Sequence, residues 1–160
     1  MKILAIDPGY DRVGIAVLEK QDSEEVLLYS DCFKTSAKDE FPDRLAQIGQ
    51  EIDRIIKEFS PKGLAIETLL FNNNQKTAMK VAEARGAMIC IARIAGLDIY
   101  EYTPLQIKNA ITGYGRADKS QVEMMTRQLI EIKKEKIIDD EMDAIATGLT
   151  AIASIKTNNL

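Results

Sequence analysis

Three strand-like runs follow one another at the start of the chain before any helical pattern appears, and this order constrains the fold more than any other feature. The runs are Lys2–Asp7, Val13–Lys20 and Glu25–Lys34. Residues 8–12 join the first two runs and begin with Pro-Gly, a turn-forming pair that favours a hairpin. The sequence therefore predicts an antiparallel three-stranded meander.

The rest of the chain alternates helical patterns with short strand-like runs. Apolar residues recur at intervals of three and four from Phe41 to Phe59, which predicts an amphipathic helix. Short strands are predicted at Leu64–Glu67 and Ile99–Tyr102. Four further helices are predicted at residues 75–94, 104–113, 119–134 and 139–155. This order predicts one α/β domain over residues 1–160, in which a mixed five-stranded sheet joins the meander to parallel strands and carries helices on both faces.

Composition narrows the chemistry that such a domain can perform. The chain contains no histidine, which excludes Ser-His and Cys-His nucleophiles and every histidine-ligated metal site. The longest uncharged stretch, Ala144 to Ile155, is shorter than the roughly 20 residues of a membrane-spanning helix. Neither a secretory leader nor paired cysteine spacing is present, so we expect a cytoplasmic protein with no membrane partner. Hydrolysis by this chain would depend on carboxylates, lysines and hard metal ions.

Charge is unevenly distributed along the chain, whose net charge is −4. Residues 76–136 carry a net charge of +4, between acidic blocks of −5 (residues 1–75) and −3 (residues 137–160). This pattern is typical of a polyanion-binding surface beside a group of metal-binding acids. The alternative is a solvated helix face on which basic residues cluster by chance.

Four acidic residues are placed where they could converge. Asp7 and Glu67 each end a strand-like run, and ligands bind at the carboxyl ends of parallel strands. Asp140 and Asp143 lie three residues apart and so share one helix face. Such carboxylates repel one another unless a cation is present, and two Mg²⁺ ions about 3.5–4 Å apart are the usual solution in phosphoryl transfer. The alternative is that each acid only caps a turn, a strand end or a first helical turn.

Basic and apolar side chains near these acids are candidate nucleic-acid contacts. Lys108, Arg116 and Lys119 are placed to contact a DNA backbone, the last of them at a helix start that follows a glycine-rich loop. Leu70 and Phe71 follow the Glu67 strand and could wedge against unstacked bases, or could simply pack beneath the Asn72–Asn74 loop.

Six short segments, in order along nearly the whole chain, resemble the RuvC family of Holliday-junction resolvases in the RNase H-like (retroviral-integrase) superfamily. The segments are Ile6–Gly9, Ala65–Glu67, Ala84–Gly86, Gln106–Lys108, Ala117–Val122 and Asp140–Ala146. The resemblance implies an RNase H-like fold and a homodimer that nicks two strands of like polarity in a four-way junction, leaving 5′-phosphate and 3′-hydroxyl ends. It also implies two Mg²⁺ or Mn²⁺ ions per active site and a role in DNA recombination and repair.

The resemblance assigns roles to single residues. Asp7, Glu67, Asp140 and Asp143 fall on the four catalytic, metal-binding acids of the family. Lys108 and Lys119 fall on basic residues near the active site, and Lys119 is grouped with the catalytic residues. Lys76 joins the predicted DNA contacts. A complex with a branch-migration motor is left open.

The chain departs from the family pattern at two positions. Leu70 stands where a DNA-stacking phenylalanine is typical, and Glu83 stands where glutamine is common. One alternative is therefore a relaxed nuclease that debranches several DNA structures, as in phage-borne relatives. Another is an RNase H-like nuclease that processes RNA. An ATPase of the actin and sugar-kinase type would need a second lobe, and no G-x-x-x-x-G-K-[ST] motif is present.

Overall fold

The computed structural model describes residues 1–22, 24–69 and 75–157, with only the backbone described at positions 75, 76, 156 and 157. Five strands form a single mixed sheet in the order β3-β2-β1-β4-β5. They are β1 (Lys2–Asp7), β2 (Arg12–Gln21), β3 (Glu24–Lys34), β4 (Gly63–Glu67) and β5 (Asp98–Tyr102). The β1, β2 and β3 strands pair antiparallel, whereas β1, β4 and β5 pair parallel. The predicted mixed sheet is confirmed.

Helices cover both faces of this sheet, as predicted. They are α1 (Phe41–Phe59), α2 (Gln75–Ile94), α3 (Pro104–Thr112), α4 (Lys119–Leu129) and α5 (Asp139–Thr157). On one face, Ile52 of α1 packs with Ile6 in a core that α2 completes. On the other face, Ile145 of α5 packs with Leu18, and α3 and α4 lie beside it. Strands with two buried faces require this two-sided cover.

The α4 helix ends at Leu129, five residues before the predicted end at Lys134. Ile130 is buried and has an extended backbone, and Lys134 donates hydrogen bonds to the Ser30 carbonyl and to Glu141. These contacts hold residues 130–134 against β3 and α5. Tertiary packing therefore overrides the helical pattern of this segment.

Strand direction determines which side chains meet at the functional end of the sheet. The β1 and β4 strands are parallel, with Ile6 opposite Ile66, so Asp7 and Glu67 end on the same edge. The β2 strand begins and the β3 strand ends on that edge too, because both pairings are antiparallel. We call four of the residues at these strand ends the sheet edge row. In their order across the sheet, they are Lys34, Arg12, Asp7 and Glu67.

Within the described part of the chain, no helix is both long enough and apolar enough to cross a bilayer.

Candidate active site

Two close contacts seat α5 on the sheet. A Cβ atom on Gly14 would lie 1.8 Å from the carbonyl oxygen of Asp140 and 3.2 Å from the Cβ of Asp7. A Cβ atom on Gly148 would lie 2.3 Å from the Leu18 side chain. Because glycine has no Cβ atom, Gly14 lets the start of α5 lie directly against β2, and Gly148 lets the middle of the helix pack closely on β2 and β1. Asp140 and Asp143 are thereby placed beside the ends of β1 and β4.

The buried position of Asp7 makes it sensitive to the other three acids. Burial is the largest cause that raises the pKa of Asp7 from 3.8 to about 8. The negative charges of Asp143, Glu67 and Asp140 raise this pKa further, in that order, whereas Lys119 lowers it. The other three predicted acids therefore all lie within electrostatic range of Asp7 at this edge.

Glu67 and Asp143 are perturbed in the same direction. Burial, and then the charge of Asp143, raises the pKa of Glu67 to about 7, while Lys108 and Lys119 lower it. Burial also raises the pKa of Asp143, against the opposing effect of Lys119. The site in its metal-free form thus disfavours full ionisation of its carboxylates.

Two cations partly neutralise the outer acids. The Nζ atom of Lys119 lies 3.2 Å from Oδ2 of Asp143 and 3.1 Å from Oδ2 of Asp139. Lys119 is the first residue of α4, where Asp118 and Gln121 form a complete capping box that fixes the helix start. On the opposite side, Nε of Arg12 lies 3.3 Å from Oδ2 of Asp140. One cation therefore flanks each of the two α5 acids.

Three consecutive acids at the start of α5 differ in environment. Asp139 is exposed, and its described ion pair is with the ammonium group of Lys119. Glu141 is buried and accepts hydrogen bonds from Ser30 Oγ (2.6 Å) and Lys134 Nζ (2.8 Å), so it is a structural residue. Asp140 alone faces the acids on the strand ends.

The donor set fits a hard divalent cation. Within the described residues, Oδ2 of Asp140 is buried and accepts no hydrogen bond, although Nε of Arg12 lies 3.3 Å away, so a bound cation would replace this ion pair at the oxygen. Carboxylates are the ligands that Mg²⁺ prefers. Across the described ranges, however, no three Asp, Glu or Cys side chains already form a ligand group. Metal ligation by the four acids therefore stays a prediction.

A pocket of about 220 Å³ opens beside the acids. Its polar lining consists of Glu67, Asp143, Lys108 and Lys119, and its apolar lining includes Ile107 and Val122. Two carboxylates and two ammonium groups therefore line one small cavity. This arrangement can receive a phosphate group at its lysines while the carboxylates hold a cation.

The other predicted DNA contacts are less closely associated with the acids. Arg116 is exposed in the loop between α3 and α4. Leu70, Phe71 and the side chain of Lys76 lie outside the described residues, so their predicted roles are not tested.

Three residues at the site had no role predicted from the sequence. Gly14 lies opposite Asp7 at the end of β1, and Arg12 lies two residues farther along β2, so both positions follow from the hairpin register. Arg85 of α2 donates a hydrogen bond of 2.9 Å from Nε to the Glu67 carbonyl and pairs with Glu101. It fixes the end of β4 and so positions Glu67.

Comparison with known proteins gives one consistent family. The family model described as crossover junction endodeoxyribonuclease RuvC matches residues 3–151. A protein of that name from Finegoldia magna is 44% identical over 98% of this chain and 95% of its own length. One from Petrotoga mobilis is 43% identical, over 92% and 91% of the two chains. The solved structure of T. thermophilus RuvC in complex with a Holliday junction substrate matches with a TM-score of 0.92 at 30% identity, covering 99% of this chain and 96% of that one.

Proposed function

The chain belongs to the crossover junction endodeoxyribonuclease RuvC family, and we propose that it resolves four-way (Holliday) DNA junctions by hydrolysing one phosphodiester bond in each of two strands. The observation that carries this proposal is the group of four acids at one edge of the sheet, with lysines beside them. The T. thermophilus relative that was solved on a Holliday junction supports the choice of substrate.

Asp7, Glu67, Asp140 and Asp143 would hold two Mg²⁺ ions, or Mn²⁺ in their place. Bound at this site, such ions supply an activated water and stabilise the leaving oxygen. The carboxylates contribute by binding in their ionised form, which the pKa values of Asp7 (about 8) and Glu67 (about 7) resist until a cation is present. The chain therefore couples occupation of the site to proton release.

Lys119 and Lys108 would contact the phosphate that is cut. Both line the pocket next to Glu67 and Asp143, and Lys119 is exposed enough to exchange Asp143 for a phosphate oxygen. A positive charge at that point stabilises the additional negative charge that develops during the displacement. Arg116, exposed in the neighbouring loop, would contact the backbone farther along the strand.

Two copies of the chain would place two such sites on one junction. The α2 helix carries an exposed stripe of small and apolar residues: Met79 (62% exposed), Gly86, Cys90 and Ile94 (82% exposed). Their spacings of seven, four and four residues follow one helix face. We infer that α2 packs against its counterpart across a two-fold axis, which would let the dimer make paired nicks in strands of like polarity. We also propose that the chain acts in the cytoplasm, together with a branch-migration motor.

The test is cleavage of synthetic DNA with mapped nick positions. Four-way, three-way and flap DNA substrates and an RNA hairpin would each be incubated with the chain and Mg²⁺. We expect symmetric paired nicks with 5′-phosphate ends in the four-way junction. Equal cleavage of all three branched DNAs would instead indicate a relaxed debranching nuclease, and cleavage of RNA alone would reject a DNA resolvase.

A further inference from the structure

The cations of the sheet edge row form a feature that the proposed reaction does not use. Arg12 begins β2 and Lys34 ends β3, and the two residues lie directly opposite each other in the β2–β3 register. Both are exposed, and the Arg12 side chain is 58% exposed despite its contact with Asp140. Like charges directly opposite each other destabilise a sheet. The pair therefore has an electrostatic cost that a bound anion would offset.

The face on which this pair lies is the face that carries the acids. Side chains alternate along a strand, so Arg12, Gly14 and Ala16 point to the same side of β2. Gly14 contacts α5, and Ala16 belongs to the core beneath α5. On β3, Cys32 lies on this side too, because it pairs with Gly14. Arg12 and Lys34 thus project toward the start of α5 and not toward α1.

Electrostatic effects on Cys32 confirm that these charges are close together. Burial is the main cause that raises the pKa of the Cys32 thiol, and the charge of Asp140 raises it further. Lys34 and Arg12 both lower this pKa. The two cations and the outermost active-site acid therefore surround one side chain. The charge of Asp31 also raises the pKa of Cys32.

Arg12 and Lys34 lie on the side of the acids opposite to the lysines of the pocket. Lys108 and Lys119 flank Glu67 and Asp143, toward β4 and β5. Arg12 flanks Asp140, and Lys34 is one strand farther out. With adjacent strands about 4.8 Å apart, the two cations lie roughly one and two strand spacings across the sheet from β1, and two residues beyond the position of Asp7 along the strands. A DNA strand whose scissile phosphate lies at the acids would place its next phosphates beside Arg12 and Lys34.

We propose that Arg12 and Lys34 form a second phosphate-binding site, which holds the DNA backbone on the β3 side of the scissile phosphate. The inference rests on the proposed function, because it takes the acids as the point of cleavage. Guanidinium and ammonium groups at the ends of paired strands supply sequence-independent contacts, which fix the position of the strand and not its sequence. Contact between Arg12 and Asp140 holds the guanidinium near the path of the strand before DNA binds.

The salt dependence of junction binding tests this site. Affinity for a fluorescent four-way junction would be measured in EDTA, between about 50 and 200 mM KCl, for the full chain and for Arg12→Gln, Lys34→Gln and the double variant. The slope of log K against log[salt] is negative, and each lost phosphate contact reduces its magnitude by about 0.9. We expect slopes less negative by about one for each single variant and by about two for the double variant. The loss of affinity should be about 3.5-fold larger at 50 mM than at 200 mM for each single variant.

Two controls separate this role from a structural one. Arg12→Lys keeps the charge and should retain the wild-type slope. Arg93→Gln removes an exposed arginine whose Nη1 atom lies 3.8 Å from Asp98. Asp98 begins β5, so Arg93 lies at the opposite end of the strands from the acids, and its loss should leave the slope unchanged. If Arg12 only neutralises Asp140, Arg12→Gln will alter thermal stability and leave the slope unchanged.

The outcomes distinguish this inference from the proposed function. Wild-type slopes for Arg12→Gln and Lys34→Gln, in a chain that binds and nicks four-way junctions, would overturn the second phosphate site alone. Failure of the unmodified chain to bind or nick the junction would overturn the proposed function. A variant that fails to fold would be identified by circular dichroism, and Lys34→Gln, at an exposed strand end, then decides the question.

Discussion

The backbone of Asp140 lies directly against Gly14, so close that a Cβ atom at position 14 would be 1.8 Å from the Asp140 carbonyl oxygen. The glycine is opposite Asp7 in the β1–β2 register. A residue without a side chain therefore sets the distance between the strand acid Asp7 and the two acids of α5.

Gly14→Ala should displace the start of α5 and impair both stability and catalysis. We expect unfolding free energy to fall by about 1–3 kcal/mol, as for other overpacked sites. Nicking should fall about 10²-fold, because displacements near 1 Å have effects of that size. Gly86→Ala is the matched control for packing within one chain, since a Cβ at that position meets no described atom within 4 Å, and it should leave the unfolding free energy of the chain nearly unchanged. Equal losses of unfolding free energy for the two changes would show that the close contact at Gly14 has no consequence.

The pKa of Asp7 predicts how the stability of the metal-free chain depends on pH. A carboxyl whose pKa is raised from 3.8 to about 8 binds its proton more tightly in the folded state. Its stabilising contribution is therefore complete at low pH and is lost as the pH rises through 8. Above about pH 6, carboxyls with ordinary pKa values are ionised in both states and add no slope. Thermal unfolding in EDTA should thus occur at a lower temperature at pH 9 than at pH 6.

Asp7→Asn should make this pH profile flatter, and Mg²⁺ should raise the unfolding temperature of the unmodified chain most at high pH, where the carboxylates are ionised. Glu135→Gln, at an exposed carboxyl between α4 and α5, serves as a control. An unfolding temperature that is the same at pH 6 and pH 9 in EDTA would contradict the close approach of the acids.

Glu141 and Asp140 are neighbours with opposite roles, and their isosteric variants should behave differently. Glu141→Gln weakens the buried contacts with Ser30 and Lys134 and should reduce the unfolding free energy by about 1–3 kcal/mol. Asp140→Asn relieves repulsion at the site, so it should abolish nicking with stability unchanged or increased. A catalytic defect in well-folded Glu141→Gln that matches that of Asp140→Asn would refute this division of roles.

The exposed stripe on α2 predicts the position of the dimer interface. Gly86→Arg adds a long charged side chain that the single chain can accommodate, because the site is open. We expect sedimentation to show a monomer and paired nicks to be lost. Met124→Arg, at an exposed apolar residue of α4, should remain dimeric. Retention of the dimer by Gly86→Arg would place the interface elsewhere.

Much of the fold can be read from local patterns. The predicted bounds of β1, α1 and α2 agree with the structure, and β2 to β5 agree to within a residue or two at either end. These elements have strong apolar periodicity, which determines their secondary structure. The end of α4 was wrong because Ile130 and Lys134 gain more from contacts with β3 and α5 than from another helical turn.

The site was partly predictable, for a related reason. Strand order and direction are enough to bring Asp7 and Glu67 to one edge, and the i, i+3 spacing picks Asp140 and Asp143 from four nearby acids. The roles of Gly14 and Arg12 depend on how closely α5 approaches β2, which no local pattern encodes. The same holds for Arg85, whose contact with the Glu67 carbonyl joins distant parts of the chain.

We expect Asp7 to serve the reaction and not the binding of DNA. The most direct measurement compares Asp7→Asn with the unmodified chain for affinity toward a labelled four-way junction and for the rate of nicking in Mg²⁺. We predict that junction affinity is kept while the nicking rate falls by at least about 10²-fold. Nicking by Asp7→Asn at the unmodified rate would show that Asp7 does not take part in the reaction.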